Sequence, residues 1–337
     1  MTTAFITGIT GMVGSHLADY ILKNTDWRIV GLIRWRSPLD NISHLIPDVN
    51  KKNRIQLVYG DLRDTLSIEK VFADCIPDYV FHLAAQSNPK TSFEAPLDTL
   101  DTNIQGTVRV LDAIKKFSPE AKVHVCSSSE VFGRVSEEKV PIDEECTFHP
   151  ASPYAISKVG TDLVGRYYAE AFGLSIQTTR MFTHTGPRRG DVFAESSFAK
   201  QIALIEAGYI PPIVKVGNLE SLRTIADVRD AVDAYFRLLT VNPIAGSYYN
   251  IGGNHTLKVG DILNHLISIS KTPNLISYEV EEARIRPIDA DLQIPNTEKF
   301  RRHTGWSPTF EFETTMFDLL EYWREKIKNQ GNTFISR

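Results

Sequence analysis

Two short stretches hold residue types that could handle protons. In SSSEVFG, residues 127 to 133, hydroxyls and a carboxylate follow the apolar run KVHVC; in SPYAISK, residues 152 to 158, a tyrosine and a lysine stand four positions apart. That spacing puts Tyr154 and Lys158 one turn apart on one helix face. A phenol so placed can take or give a proton, and a neighbouring ammonium favours the tyrosinate, lowering a pKa that starts at about 10. Together with the hydroxyl of Ser128, the pair could move a proton and a hydride. Tyr-x-x-x-Lys alone is a common solvated helix pair, so its meaning depends on what positions it.

The positioning elements are legible along the chain. Short apolar, β-branched runs (TAFITGI, WRIVGLIR, IQLVYGDL, DYVFHLAA, KVHVCSSS) alternate with amphipathic stretches such as SHLADYILKN, IEKVFADCI and TVRVLDAIKKF. Continuous apolar strands separated by helices predict a parallel sheet covered on both faces, a doubly wound α/β fold. Ligands in such sheets bind at the carboxyl ends of the strands, where SSSE falls. After SIQTTRMF the texture turns richer in Pro, Gly and Arg, which predicts a smaller, loop-rich C-terminal substrate lobe. The expected boundaries are a dinucleotide-binding domain over 1–180, with 226–250 returning to it through DVRDAVDAYFRLL, and a second lobe from 181–225 and 251–330.

Gly8, Gly11 and Gly14 in TGITGMVG lie between the first strand and first helix. Glycines there let the chain turn tightly and bring its backbone up to a pyrophosphate at the positive helix end. The second strand should end near the adenosine ribose. Its end reads Arg34, Trp35, Arg36 and Ser37, with no carboxylate before Asp40, so NADP is favoured and NAD remains possible. Asp61, after the third strand, could meet the adenine amine or simply close a turn.

Composition limits the alternatives. The chain has 337 residues, 42% of them hydrophobic, and a net charge of -4, without the basic excess that would suit nucleic acid or an anionic membrane. No apolar run reaches about 18 residues, and MTTAFITGIT enters a strand without a basic leader, so the expectation is a cytoplasmic protein with no membrane partner. Three cysteines and nine scattered histidines offer neither a disulfide framework nor metal-ligand spacing, and no metal is expected.

As a set, TGITGMVG, HLAAQS (82–87), NIQGT (103–107), SSSEVFG and SPYAISK resemble the extended short-chain dehydrogenase/reductase family over nearly the whole chain. Within it the sequence is similar to the branch acting on GDP-linked sugars, which holds GDP-mannose 4,6-dehydratases and GDP-4-keto-6-deoxymannose reductases. RWRSPLDNISHL and GPRRG resemble the dehydratases; FAKQIALIEAG and VGNLESLRTIADVRDAVDAY resemble the reductases at least as much.

The resemblance implies a Rossmann-type domain binding a nicotinamide dinucleotide through the glycine loop with Met12 and Val13, through Leu62, through Leu83, Ala84 and Ala85, and through Tyr154 and Lys158. It implies a GDP-linked sugar as substrate, held by Ser87, Ser129, Thr183 and Val216, with Arg189, Arg223 and Arg286 as candidates for the diphosphate. Ser128 stands where similar dehydratases usually have threonine, and Glu130 matches the glutamate they use as the C5 base. A homodimer or homotetramer is implied as well. The reading is a 4,6-dehydratase. The alternatives are a 4-ketoreductase, 4-dehydrogenase or 4-epimerase with the same Tyr and Lys, and, more remotely, a non-catalytic dinucleotide-binding protein.

Overall fold

The computed structural model describes residues 1–285, 288 and 290–331. Its strands are β1 Thr3–Thr7, β2 Arg28–Ile33, β3 Ile55–Tyr59, β4 Tyr79–His82, β5 Lys122–Cys126, β6 Ile176–Met181, β7 His184–Thr185, β8 Ile213–Val216, β9 Leu222–Asp227, β10 Tyr248–Ile251, β11 His255–Lys258, β12 Ser277–Val280 and β13 Leu292–Gln293. Seven form one parallel sheet in the order β10-β6-β5-β4-β1-β2-β3. The chain builds outward from β1 through β2 to β3, then restarts with β4 on the other side of β1. That reversal opens a crevice at the carboxyl edge between β1 and β4.

The apolar runs are explained by two covered faces. Alternate residues of β1 point oppositely: Ala4 and Ile6 join Leu17, Ile21, Ala231 and Tyr235 beneath helices Met12–Asn24 and Val228–Thr240. Phe5 packs on the other side with Phe72, Leu111, Ile114 and Tyr168, from helices Thr65–Cys75, Gly106–Phe117 and Pro153–Phe172. A third core, with Phe198, Val214, Ile262, Leu320 and Trp323, fills the smaller lobe. There β9 pairs with β7, β11 and β13, and β8 with β12.

One boundary differs from the expected division. Helix Glu298–Thr304, inside the stretch read as second lobe, packs on the sheet: Phe300 and Trp306 join the β1-facing core, and Trp306 Nε1 donates to the Asp230 carbonyl at 3.1 Å. Both aromatics are almost wholly buried there. Among the described residues, no helix is long and apolar enough to cross a membrane.

Helix Pro153–Phe172 is fastened to β6 by a buried ion pair. Arg180 Nε and Nη2 donate to the two oxygens of Asp162 at 2.8 and 3.1 Å, and both side chains are almost wholly enclosed. Removing one partner strands the other charge. Asp162→Ala is therefore expected to cost roughly 3–5 kcal/mol in chemical denaturation. Asp162→Leu with Arg180→Met should recover most of that; equal losses in single and double variants would contradict the pairing argument.

Candidate active site

The glycine loop is shaped by close backbone contacts. Gly8 adopts φ 75°, and a Cβ there would lie 2.9 Å from the Ala84 nitrogen; a Cβ on Gly14 would lie 2.3 Å from the Gly8 carbonyl oxygen. Thr7 Oγ1 accepts from the backbone N–H of Leu83 and of Ala84, each at 3.0 Å, tying β1 to the end of β4. Helix Met12–Asn24 begins at Gly11 with no capping side chain and no acid in its first turn. Its positive end is left open toward a cleft of about 2060 Å³, which the Gly8, Gly11, Met12, Val13 and Gly14 loop lines. A pyrophosphate fits this cradle, since Cβ atoms at Gly8 and Gly14 would clash with backbone.

The expected cofactor residues Arg34, Ser37, Asp61, Leu62, Leu83, Ala84 and Ala85 line the same cleft. Arg36 does not: it is exposed within a turn in which the Arg34 N–H donates to Ser37 Oγ at 3.0 Å. β2 ends at Ile33, so Arg34 carries the cationic side chain into the cleft and Arg36 lies outside it. Asp61 closes a turn, accepting from the Arg63 N–H at 2.9 Å; burial opposes its ionisation, but the Arg63 guanidinium holds its carboxyl below the usual range.

The proton-handling group assembles where β5 meets helix Pro153–Phe172. Ser152 caps this helix by accepting from the Ala155 N–H at 3.0 Å, and Pro153 sits in its first turn. Tyr154 and Lys158 then fall on the buried face. Lys158 Nζ donates to the Cys126 carbonyl at 2.7 Å, while Ser127 Oγ donates to the Lys158 carbonyl at 3.1 Å. Ser128 Oγ accepts from the Glu130 N–H at 3.2 Å and hydrogen-bonds the Tyr154 phenol. Ser128, Glu130, Tyr154 and Lys158 all line the cleft.

The electrostatics correct one expectation. Burial drives the Tyr154 phenol well above its ordinary value; the bond to Ser128 opposes this, Cys126 and Glu130 add to it, and the charge of Arg189 opposes it. Lys158 does not provide the anticipated lowering, because its ammonium is tied to the Cys126 carbonyl, 6.0 Å from the centre of the Tyr154 ring, and burial lowers its own pKa. In this geometry burial disfavours the tyrosinate, while Ser128 and the charge of Arg189 favour it.

Of the expected substrate residues, Ser87, Ser129, Thr183, Arg189, Val216 and Arg223 line the cleft, and Arg286 lies outside the described residues. Arg189 is partly buried, its side chain 14% exposed, and its charge acts on the Tyr154 phenol. Arg223 donates to the carbonyls of Leu222 and Ala290 at 2.9 and 2.6 Å. Lining residues that the sequence did not single out include His184, at the start of β7, and Glu195 beside GPRRG. A lone carboxylate in the small and apolar stretch FAESSFA was the available signal for Glu195.

Asn103 is structural. Its side chain accepts from the Gln86 N–H at 2.8 Å and donates to the Gln86 carbonyl at 2.9 Å. His82 bridges Thr7 and Thr107 at 3.0 and 3.1 Å.

Glycine cradle, crevice and a Ser–Tyr–Lys group at one sheet edge define a nicotinamide-dinucleotide enzyme of the extended short-chain dehydrogenase/reductase class. A solved structure with this fold is that of RMD from Pseudomonas aeruginosa complexed with NADPH, at 27% identity and TM-score 0.80, covering 97% of this chain and 100% of that one. The family model described as GDP-mannose 4,6 dehydratase matches residues 5–319, and the chain belongs to that family. It is 34% identical to a GDP-mannose 4,6-dehydratase of Vibrio cholerae, over 94% of this chain and 92% of the relative. It is 29% identical to a GDP-6-deoxy-D-mannose reductase of Pseudomonas aeruginosa, over 97% and 98%.

Burial lowers His82, His124 and His184 from 6.5 to about 3, with charge from Lys158 contributing at His82. The native state holds these imidazoles neutral, while the unfolded chain protonates them below 6.5. Their contribution is therefore complete above that value and is lost as pH falls toward about 3. Denaturation midpoints measured from neutral pH down to about 4 should decline progressively; a flat profile would contradict neutral buried imidazoles.

Proposed function

We propose that the chain is an NAD(P)-dependent 4,6-dehydratase of a GDP-linked mannose-type sugar. The observation that carries the reading is Glu130 on the same turn as Ser128, with Tyr154 and Lys158 across from it in one cleft wall beside the glycine loop. Ser128 orients the C4 hydroxyl and Tyr154 takes its proton. A nicotinamide held there would supply the hydride chemistry, from C4 to C6. With C4 oxidised, the C5 proton is acidic and Glu130 removes it; the C6 hydroxyl departs as water with the proton that Tyr154 holds, and Glu130 returns its proton to C5 as hydride arrives at C6. The sugar loses one water and the cofactor undergoes no net change.

Gly8, Gly11 and Gly14 would hold the pyrophosphate, and Lys158 the nicotinamide ribose. Arg34 and Ser37 in the cleft, with no carboxylate between them, support NADP over NAD. Ser87, Ser129, Thr183, Val216 and Arg223 are assigned to the sugar nucleotide. Exposed Ile156, Leu163, Tyr167 and Phe172 on helix Pro153–Phe172 support a homodimer or homotetramer, and three free cysteines suit the reducing cytoplasm. A 4-ketoreductase is the second reading, favoured by the likeness to the Pseudomonas reductase over nearly both chains.

Mass spectrometry of protein incubated with GDP-mannose and NADP is the test. Loss of one water without net cofactor reduction is expected; an unchanged sugar nucleotide would sink the proposal. Tyr154→Phe should lower turnover by roughly 10² to 10⁴-fold. Glu130→Gln should stop water loss yet leave C4 hydride transfer, whereas a ketoreductase would tolerate it.

A further inference from the structure

A second charged pair lies in the cleft wall, outside the Ser128, Tyr154 and Lys158 group. Arg189 follows Arg188, which has φ 68°, and Glu195 occupies the first turn of helix Ala194–Glu206. Glu195 is only 6% exposed, and its Oε1 lies 3.4 Å from Arg189 Nε. The alignment is poor enough that neither atom completes a hydrogen bond among the described residues. The Arg189 guanidinium also sits 3.5 Å from the centre of the Phe193 ring. An aromatic face and a carboxylate from one helical turn thus set where it lies.

The backbone is held too. Ser196 Oγ donates to the Arg189 carbonyl at 2.8 Å and accepts from Trp323 Nε1 at 2.9 Å, joining loop, helix and C-terminal helix Phe312–Gln330. The helix N-terminus favours a negative Glu195. As a contribution to stability the pair is poor, since two buried charges seldom outdo apolar side chains of equal volume and each here leaves an unsatisfied atom. Its effect falls elsewhere: the charge on Arg189 acts on Tyr154, favouring the ionised phenol.

We propose that Glu195 is a positioning residue, which holds the Arg189 guanidinium against Phe193 in the cleft that Tyr154 also lines and so acts on the phenol only through Arg189. The inference rests on Tyr154 as the proton-transfer group and extends that reading to a residue of the smaller lobe.

The test is a double-mutant cycle read without substrate. Protein labelled with carbon-13 at the tyrosine ζ carbon gives a Tyr154 line, assigned by its loss in Tyr154→Phe. Glu195→Ala and Arg189→Met should each displace that line, and the double variant should match Arg189→Met alone. A Tyr154 line unmoved by Glu195→Ala, or moved further by it when Arg189 is already Met, would overturn the proposal. Should Glu195→Ala fail to fold, Glu195→Gln keeps the volume and carries the same cycle, with a smaller displacement of the same sign.

In turnover of GDP-mannose, Glu195→Ala should lower kcat by about tenfold and change KM by less than about twofold. A raised KM with unchanged kcat would instead mark Glu195 as a sugar-binding residue and count against the proposal. An unmodified chain inert toward GDP-mannose would sink the dehydratase reading, with the substrate-free cycle still deciding the role of Glu195.

Discussion

The site depends on a reciprocal clasp between a strand end and a helix. Lys158 gives its ammonium to the carbonyl of Cys126, the last residue of β5, and Ser127, one residue on, gives its hydroxyl to the carbonyl of Lys158. These two bonds fix the rotation of helix Pro153–Phe172 against the sheet edge, and the Asp162–Arg180 pair fixes the same helix about one turn further along. With the helix locked, the Tyr154 phenol stands beside Ser128. A charged amine spent on a backbone carbonyl is expensive to desolvate, so the clasp makes sense as a positioning device more than as a source of stability.

Enclosure gives the site its character and its difficulty. A phenol removed from water resists ionisation, so the proton abstraction proposed for Tyr154 requires favourable fields aimed at it. Ser128 provides one through a hydrogen bond, and Arg189 another through its charge. Both are fixed before any ligand arrives, as preorganised electrostatics requires. The same enclosure that raises the phenol lowers Lys158, which shows why a spacing of four residues cannot by itself fix the sign of a tyrosine's shift.

The fold was largely legible because its signals are local. Five-residue apolar runs such as TAFIT can be satisfied only by a strand covered on both faces, and Gly8 and Gly14 mark a turn with no room for a side chain. Tyr154 and Lys158 share a helix face by periodicity alone. What escaped depends on distance in space. Glu195 is six residues from Arg189, but its significance comes from Tyr154 on a helix of the other lobe; Arg36 differs from Arg34 only in where β2 ends. Phe300 and Trp306 sit in a stretch whose composition resembles the lobe, and only packing assigns them to the sheet.

The order of the strands also bears on how the protein is made. β10, at the sheet's outer edge, pairs with β6, and helix Val228–Thr240 covers helix Met12–Asn24 near the amino terminus. A growing chain that has already emitted the glycine loop, the serines, the Tyr–Lys helix and β6 still exposes the edge of β6 and the sheet face that helix Val228–Thr240 covers. Those surfaces are covered only after the first strands of the smaller lobe have been synthesised. The nascent dinucleotide-binding half is therefore an open-edged intermediate, and its completion is a late, long-range closure of the kind that slows folding and invites wrong edge pairing.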